Sequence, residues 1–381
     1  MSGIVGVLQE RFLDVLLEIN PQQKRYGMKN RSKNAQQNSV TLQRRPEDRT
    51  LLEIEQQARQ NRQADQIARL QFVEFTKAHL LDQVAEELFI RLGNFDAVNN
   101  TVFNLAQGFP EVLDALCARA VTLSQLENLI NKLDWLKEDL LKLVNQPKYR
   151  NKTPSGNFIK EIKPALGLFG IESLKQILPL LALRRCVPHA TDPFTSFKTN
   201  MWQYSVSVAV AAQRLAEETG DNQFVAYCAG LFNSLGYYVV TRNYLRTYAQ
   251  IKQAELLKAR DARDTQLTDA LDGLDADGSF LISCFQEFAS IISADLVAQW
   301  PLKRIPLRLV MDQRAEGVGY SGATDLTRLI AQAEYYVQAK ILRSQKLLND
   351  AEDMAWRQAV QLRPDYLHIL QNTALDRLDL E

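Results

Sequence analysis

Residues 202–236 read WQYSVSVAVAAQRLAEETGDNQFVAYCAGLFNSLG. Trp202, Val206, Val210 and Leu215 place a broad apolar stripe on one helix. Thr219-Gly220-Asp221 then breaks the chain, and a second apolar helix follows. Gly230 and Gly236 remove side chains where helices or loops approach closely. Two adjacent helices, both rich in small and apolar residues, predict an all-α core.

The same pattern extends outward. From Phe95 the chain is a succession of helix-sized apolar periods. Breaks fall near Gly108-Phe109-Pro110, Thr122, Asn145-Gln146-Pro147, Thr153-Pro154-Ser155-Gly156 and Val187-Pro188. No run alternates with period two, and strands do not alternate with helices, so a doubly wound sheet is disfavoured. Asn145 ends an apolar helix before Pro147, where its amide can cap chain ends. Gly170 stands where one helix stops and another begins, as a residue with positive φ would.

Five segments, in order, resemble the HDOD family, output domains related to the HD metal-dependent phosphohydrolases. They are Phe109 to Leu113, Leu133 to Asn145, Ile159 to Leu174, and the segments around Trp202 and Gly230. The resemblance spans about residues 95–345. It implies a multi-helix HD-like bundle, a bacterial source and a signalling or regulatory role. Catalytic HD proteins carry a histidine in the first of the two central segments and a His-Asp pair in the second. By that resemblance the matching positions are Tyr204, Asn233 and Ser234, with a later histidine position near Ala289.

Those replacements disfavour hydrolysis. An HD site needs several His and Asp side chains around one or two metals that generate a hydroxide. This chain has three histidines, His79, His189 and His368, and none precedes an aspartate. The expectation is no catalytic residue, no metal ligand and no cofactor. Tyr204, Asn233 and Ser234 either fill the former metal space, Tyr204 closing it, or offer uncharged hydrogen bonds to a small molecule such as a nucleotide. Gly317-Val318-Gly319-Tyr320-Ser321-Gly322 fits the dinucleotide glycine pattern but follows no strand. Asp275-Ala276-Asp277-Gly278 fails as a calcium loop, because Cys284 stands where the bidentate glutamate belongs. No Gly-x-Ser-x-Gly elbow is present.

The chain has 381 residues, 46% hydrophobic and 24% charged, with Lys+Arg and Asp+Glu balanced at 45 each. No global field favours nucleic acid or membrane. Cys117, Cys186, Cys228 and Cys284 are dispersed, as free thiols of a cytoplasmic protein would be. No signal peptide and no membrane span are expected, since no uninterrupted apolar run approaches the length of one.

Three parts follow: an N-terminal helical region over 1–94, the HDOD-like domain over 95–345 and a short helical tail over 346–381. Residues 4–19 form an amphipathic helix through Ile4, Val5, Leu8, Phe12, Leu16 and Ile19, read as packing on the protein's own core or on a second copy, with a membrane-surface or partner-docking helix as the alternative. Residues 20–49 are basic and poor in apolar groups, a flexible linker or an arm for nucleic acid or lipid. A long helix over 50–92 starts at a Thr50/Glu53 capping box; its mostly polar first half points to a homodimer. The first function read from this is non-catalytic regulation through an unidentified protein partner. The alternatives are a residual metal-dependent phosphohydrolase and a nucleotide or nucleic-acid sensor.

Overall fold

The structure, a computed structural model, describes residues 3–19, 53–94, 96, 98–99, 105, 107–150 and 158–375. The Thr50/Glu53 capping box and the basic segment 20–49 lie outside the described residues. Among the described residues the elements are helices and no strand occurs, so the fold is all-α.

The helices are α1 (Gly3–Leu16), α2 (Glu53–Gly93), α3 (Phe109–Cys117), α4 (Leu123–Ile130), α5 (Asp134–Val144) and the single turn α6 (Pro147–Arg150). Next come α7 (Ile162–Cys186), α8 (Phe197–Thr219), α9 (Gln223–Phe232), α10 (Leu235–Asp261) and α11 (Thr265–Asp272). The last five are α12 (Gly278–Ala298), α13 (Leu307–Ala315), α14 (Asp325–Ser344), α15 (Asp350–Ala359) and α16 (Pro364–Gln371).

Local chemistry explains the boundaries. Gly108 enters α3 at φ 83°, with Pro110 in the first turn. Thr122 and Gln125 form a reciprocal capping box at α4. Gly220 closes α8 in the left-handed region at φ 75°. Gly170 has φ 71° and ψ 165°, a combination open essentially to glycine, and it splits α7 into two helical pieces. The amide of Asn145 donates to the carbonyls of Leu141 and Ile159 and accepts from Ile159 N, all at 2.8 Å, pinning the chain after the loop to the end of α5. The acidic stretch 261–278 contains α11, capped by Asp264, whose carboxylate accepts from Leu267 N at 2.9 Å.

The chain forms two compact units. One comprises Met1–Glu18, Arg91–Asn243 and Leu281–Glu381; the other comprises Ile19–Ile90 and Tyr244–Phe280. In the first unit α8 and α9 run against each other and α8 also packs on α14. Gly230 makes the α8–α9 approach: a Cβ there would sit 3.0 Å from the Ala209 backbone. A Cβ on Gly236 would lie 1.8 Å from the Ala289 carbonyl oxygen, so α10 begins in direct backbone contact with α12. α1 packs on α8, α14 and α15 and buries Val5, Leu8, Phe12, Leu13 and Leu16. That side of the helix therefore packs on the protein's own core. Arg11 fastens it further, pairing with Glu352 at 3.1 Å and donating to the Leu347 carbonyl at 2.5 Å.

In the second unit α2 buries Thr76, Leu80, Val84 and Leu88. Asp277 receives Lys77 at 2.5 Å, and its carboxylate accepts from Phe280 N at 2.7 Å. The Asp275–Gly278 stretch thus serves as a helix start and an ion pair. Tyr244 accepts from Asp277 N at 2.7 Å and rests on Phe280 at 5.4 Å between rings.

Three helical stretches, Ile162–Cys186, Gln223–Asp261 and Gly278–Ala298, are long and apolar enough by mean hydropathy to cross a membrane. In the fold 50%, 89% and 56% of their most apolar windows are buried, which ascribes much of that apolarity to core packing.

Candidate functional site

The centre of the first unit is a polar cluster inside an apolar core. Tyr204 projects from α8 and is 2% exposed. One face of its ring meets Phe12 of α1, centroids 4.8 Å apart. Its hydroxyl accepts from Gln338 Nε2 at 2.8 Å and donates to Glu334 Oε1 at 3.2 Å. Burial first, and then the Glu334 carboxylate, hold the Tyr204 phenol well above its ordinary pKa. The hydroxyl therefore keeps its proton and serves as the donor. The Tyr237 phenol is pushed up to about 12 by burial and then by the same carboxylate.

Asn233 caps the C-terminal end of α9. Its Nδ2 donates to Glu334 Oε1 at 2.5 Å, and its Oδ1 accepts from Arg314 Nε at 3.1 Å. Arg314, at the end of α13, also pairs with Glu334 through Nη2 and Oε2. Three side chains thus close a ring: guanidinium to amide, amide to carboxylate, carboxylate to guanidinium. Every bond has a definite direction, because a guanidinium only donates and a carboxylate only accepts. The Glu334 side chain is 10% exposed and that of Arg314 is 22%.

Ser234 does not join. Its hydroxyl donates to the Leu231 carbonyl at 2.8 Å. Ala289 lies beside the cluster, its carbonyl against Gly236, and Ser293 bridges it to Asn233. Ser293 Oγ meets the Asn233 carbonyl at 3.3 Å and accepts from Gly236 N at 2.8 Å. Trp202 is half-buried on α8, while Asn145 and Gly170 hold the backbone elsewhere in the unit. Structure therefore brings together Tyr204 and Asn233 and leaves Ser234 out.

Sequence reasoning missed Arg314, Glu334 and Gln338. The available signal was a glutamate in the apolar run of α14, between Ala333 and Tyr335, where a charge has to be paired.

The donor set does not fit a divalent metal. One carboxylate is present, and a fixed cation already neutralises it; the amide oxygen is taken by the same cation. Among the described residues no three His, Cys, Asp or Glu side chains gather in a metal-holding group. A shallow groove of about 620 Å³, lined by Trp300, Lys303, Arg304, Arg308 and Leu309 among others, includes no member of the cluster. The glycine-rich stretch 317–322 is tied down by Arg328, which donates to the Tyr320 carbonyl at 2.8 Å and stacks over its ring at 4.8 Å.

Comparison with known proteins gives three findings. Residues 104–275 match the HDOD domain, under half of the chain. No curated protein matches. One solved structure, a "putative metal-dependent phosphohydrolase" from Shewanella amazonensis SB2B, is 14% identical, with a TM-score of 0.37 over 78% of this chain and 100% of that one. Likeness at that level carries no argument about site or activity. The matched stretch contains Tyr204 and Asn233; Arg314, Glu334 and Gln338 lie beyond it.

Proposed function

We infer, from the HDOD domain at residues 104–275, a relative of the HD phosphohydrolases, that this protein is a non-catalytic regulatory module acting through contact with another protein. The observation that carries the reading is the Arg314–Glu334–Asn233 ring. Hydrolysis of a phosphate ester needs a Lewis acid and a water nucleophile at one accessible point. At Tyr204 and Asn233 the cluster instead holds Arg314, paired with Glu334 and bonded through Nε to Asn233. A group that already has its partners offers a substrate phosphate little to gain. The cluster reads instead as a bolt joining α8, α9, α13 and α14, which gives the surface of the unit a defined shape for recognition.

The test is direct. Purified protein is dialysed against chelator, loaded with manganese, magnesium or iron(II), and assayed on a phosphomonoester and a phosphodiester, with metal content measured alongside. No turnover above buffer and no stoichiometric metal are expected. Turnover that vanishes with Tyr204→Phe or Asn233→Ala, or one tightly held metal per chain, overturns the reading.

A further inference from the structure

Helix α2 buries one side only, through Thr76, Leu80, Val84 and Leu88. The other side is open: Phe75 is 73% exposed and Ile67 56% exposed. From Gln57 to Arg69 every side chain is exposed. Thirteen residues of helix with no covered face are marginal in water, because helical stability in proteins comes mainly from packing one face.

The open side has its own period. Ala64, Ala68, Gln71, Phe75, Ala78 and Asp82 follow one another at alternating steps of four and three. That seven-residue repeat is the one along which two helices wind around each other. The alanines leave room for close approach around the projecting Phe75 ring.

Charge selects the occupant and its direction. Past Glu53 and Glu55 at its start, the first half of the helix carries Arg59, Arg62 and Arg69 against Asp65. The second half carries Glu74, Asp82 and Glu86 on its exposed surface, while Lys77 is engaged by Asp277. One helix therefore holds both halves of a complementary pair, as a two-fold symmetric contact requires. Antiparallel pairing sets the basic half against the acidic half; parallel pairing sets like charges together.

We propose that α2 pairs antiparallel with α2 of a second copy of this chain, through the face centred on Phe75. Light scattering on the full chain at micromolar concentration should give a mass near twice 43.4 kDa. Phe75→Glu, a change at an exposed position, should return single-chain mass with an unchanged helical spectrum. Arg62→Glu with Arg69→Glu should shift the association midpoint at least tenfold at low salt, and adding Asp82→Arg with Glu86→Arg should restore it. Single-chain mass for the unaltered protein at every concentration, or doubled mass that survives Phe75→Glu, overturns the pairing. An unmoved midpoint in the double arginine variant overturns the antiparallel direction.

Discussion

Asn233 accepts a hydrogen bond from Arg314 Nε at 3.1 Å, 81 positions along the chain, and its other amide atom is spent on Glu334. That single amide therefore reads out both ends of an ion pair. Its orientation is set by chemistry, since reversing it would face amide hydrogens to a guanidinium and an oxygen to a carboxylate.

The first prediction concerns this ring. Arg314→Met leaves the Glu334 carboxylate buried without its cation and should cost about 3–5 kcal/mol, read by denaturant unfolding. Arg314→Met combined with Glu334→Gln removes the stranded charge while keeping an amide for Tyr204 and Asn233. The pair should then be more stable than the sum of the single losses by roughly 0.5–3 kcal/mol. Strict additivity would show that the ion pair does not organise the site.

A second prediction tests the closest backbone approach. Gly236→Ala drives a methyl into the Ala289 carbonyl, and neither backbone can yield cheaply. Loss of cooperative unfolding, or destabilisation of several kcal/mol, on the order of the largest single-residue effects, is expected. Gly93→Ala meets nothing within 4 Å and should be neutral or mildly stabilising. Equal melting temperatures for the two variants would refute the contact.

The third prediction is a pH dependence. Tyr204 and Tyr237 both have folded pKa values above their ordinary value of 10.0, Tyr237 at about 12. The folded state then binds more protons than the unfolded state above that ordinary value. Stability from these phenols is complete below pH 10 and is lost as pH rises through the folded values. Alkaline titration should show their phenolate absorbance arriving together with loss of helix. Titration of every tyrosine near pH 10 with the helix intact would contradict the buried placement.

Much of the fold was readable because its boundaries are written in local chemistry. Thr122 with Gln125, Gly108 before Pro110, and Gly220 each carry their own stop or start signal, and the helices begin and end beside them. Helix α11 was not readable in the same way. Its buried apolar residues are only Ala270 and Leu271, so the acidic composition around it hid the period. The cluster was half legible. Tyr204 and Asn233 stand in segments with a recognisable pattern, but their partners are chosen by tertiary approach. Arg314 and Glu334 come from helices 81 and 101 positions beyond Asn233, and no local rule pairs them with it.

The placement of Phe12 on the Tyr204 ring, with Glu334 and Gln338 on its hydroxyl, bears on how the protein is made. Residues of α1 and α14, far apart along the chain, close around the same side chain. A nascent chain halted at residue 275 contains the whole HDOD match yet would hold Tyr204 and Asn233 with their polar groups unanswered. The centre of this unit consequently forms only once α14 has been made, and a fragment ending at residue 275 would be the form most exposed to proteases and chaperones.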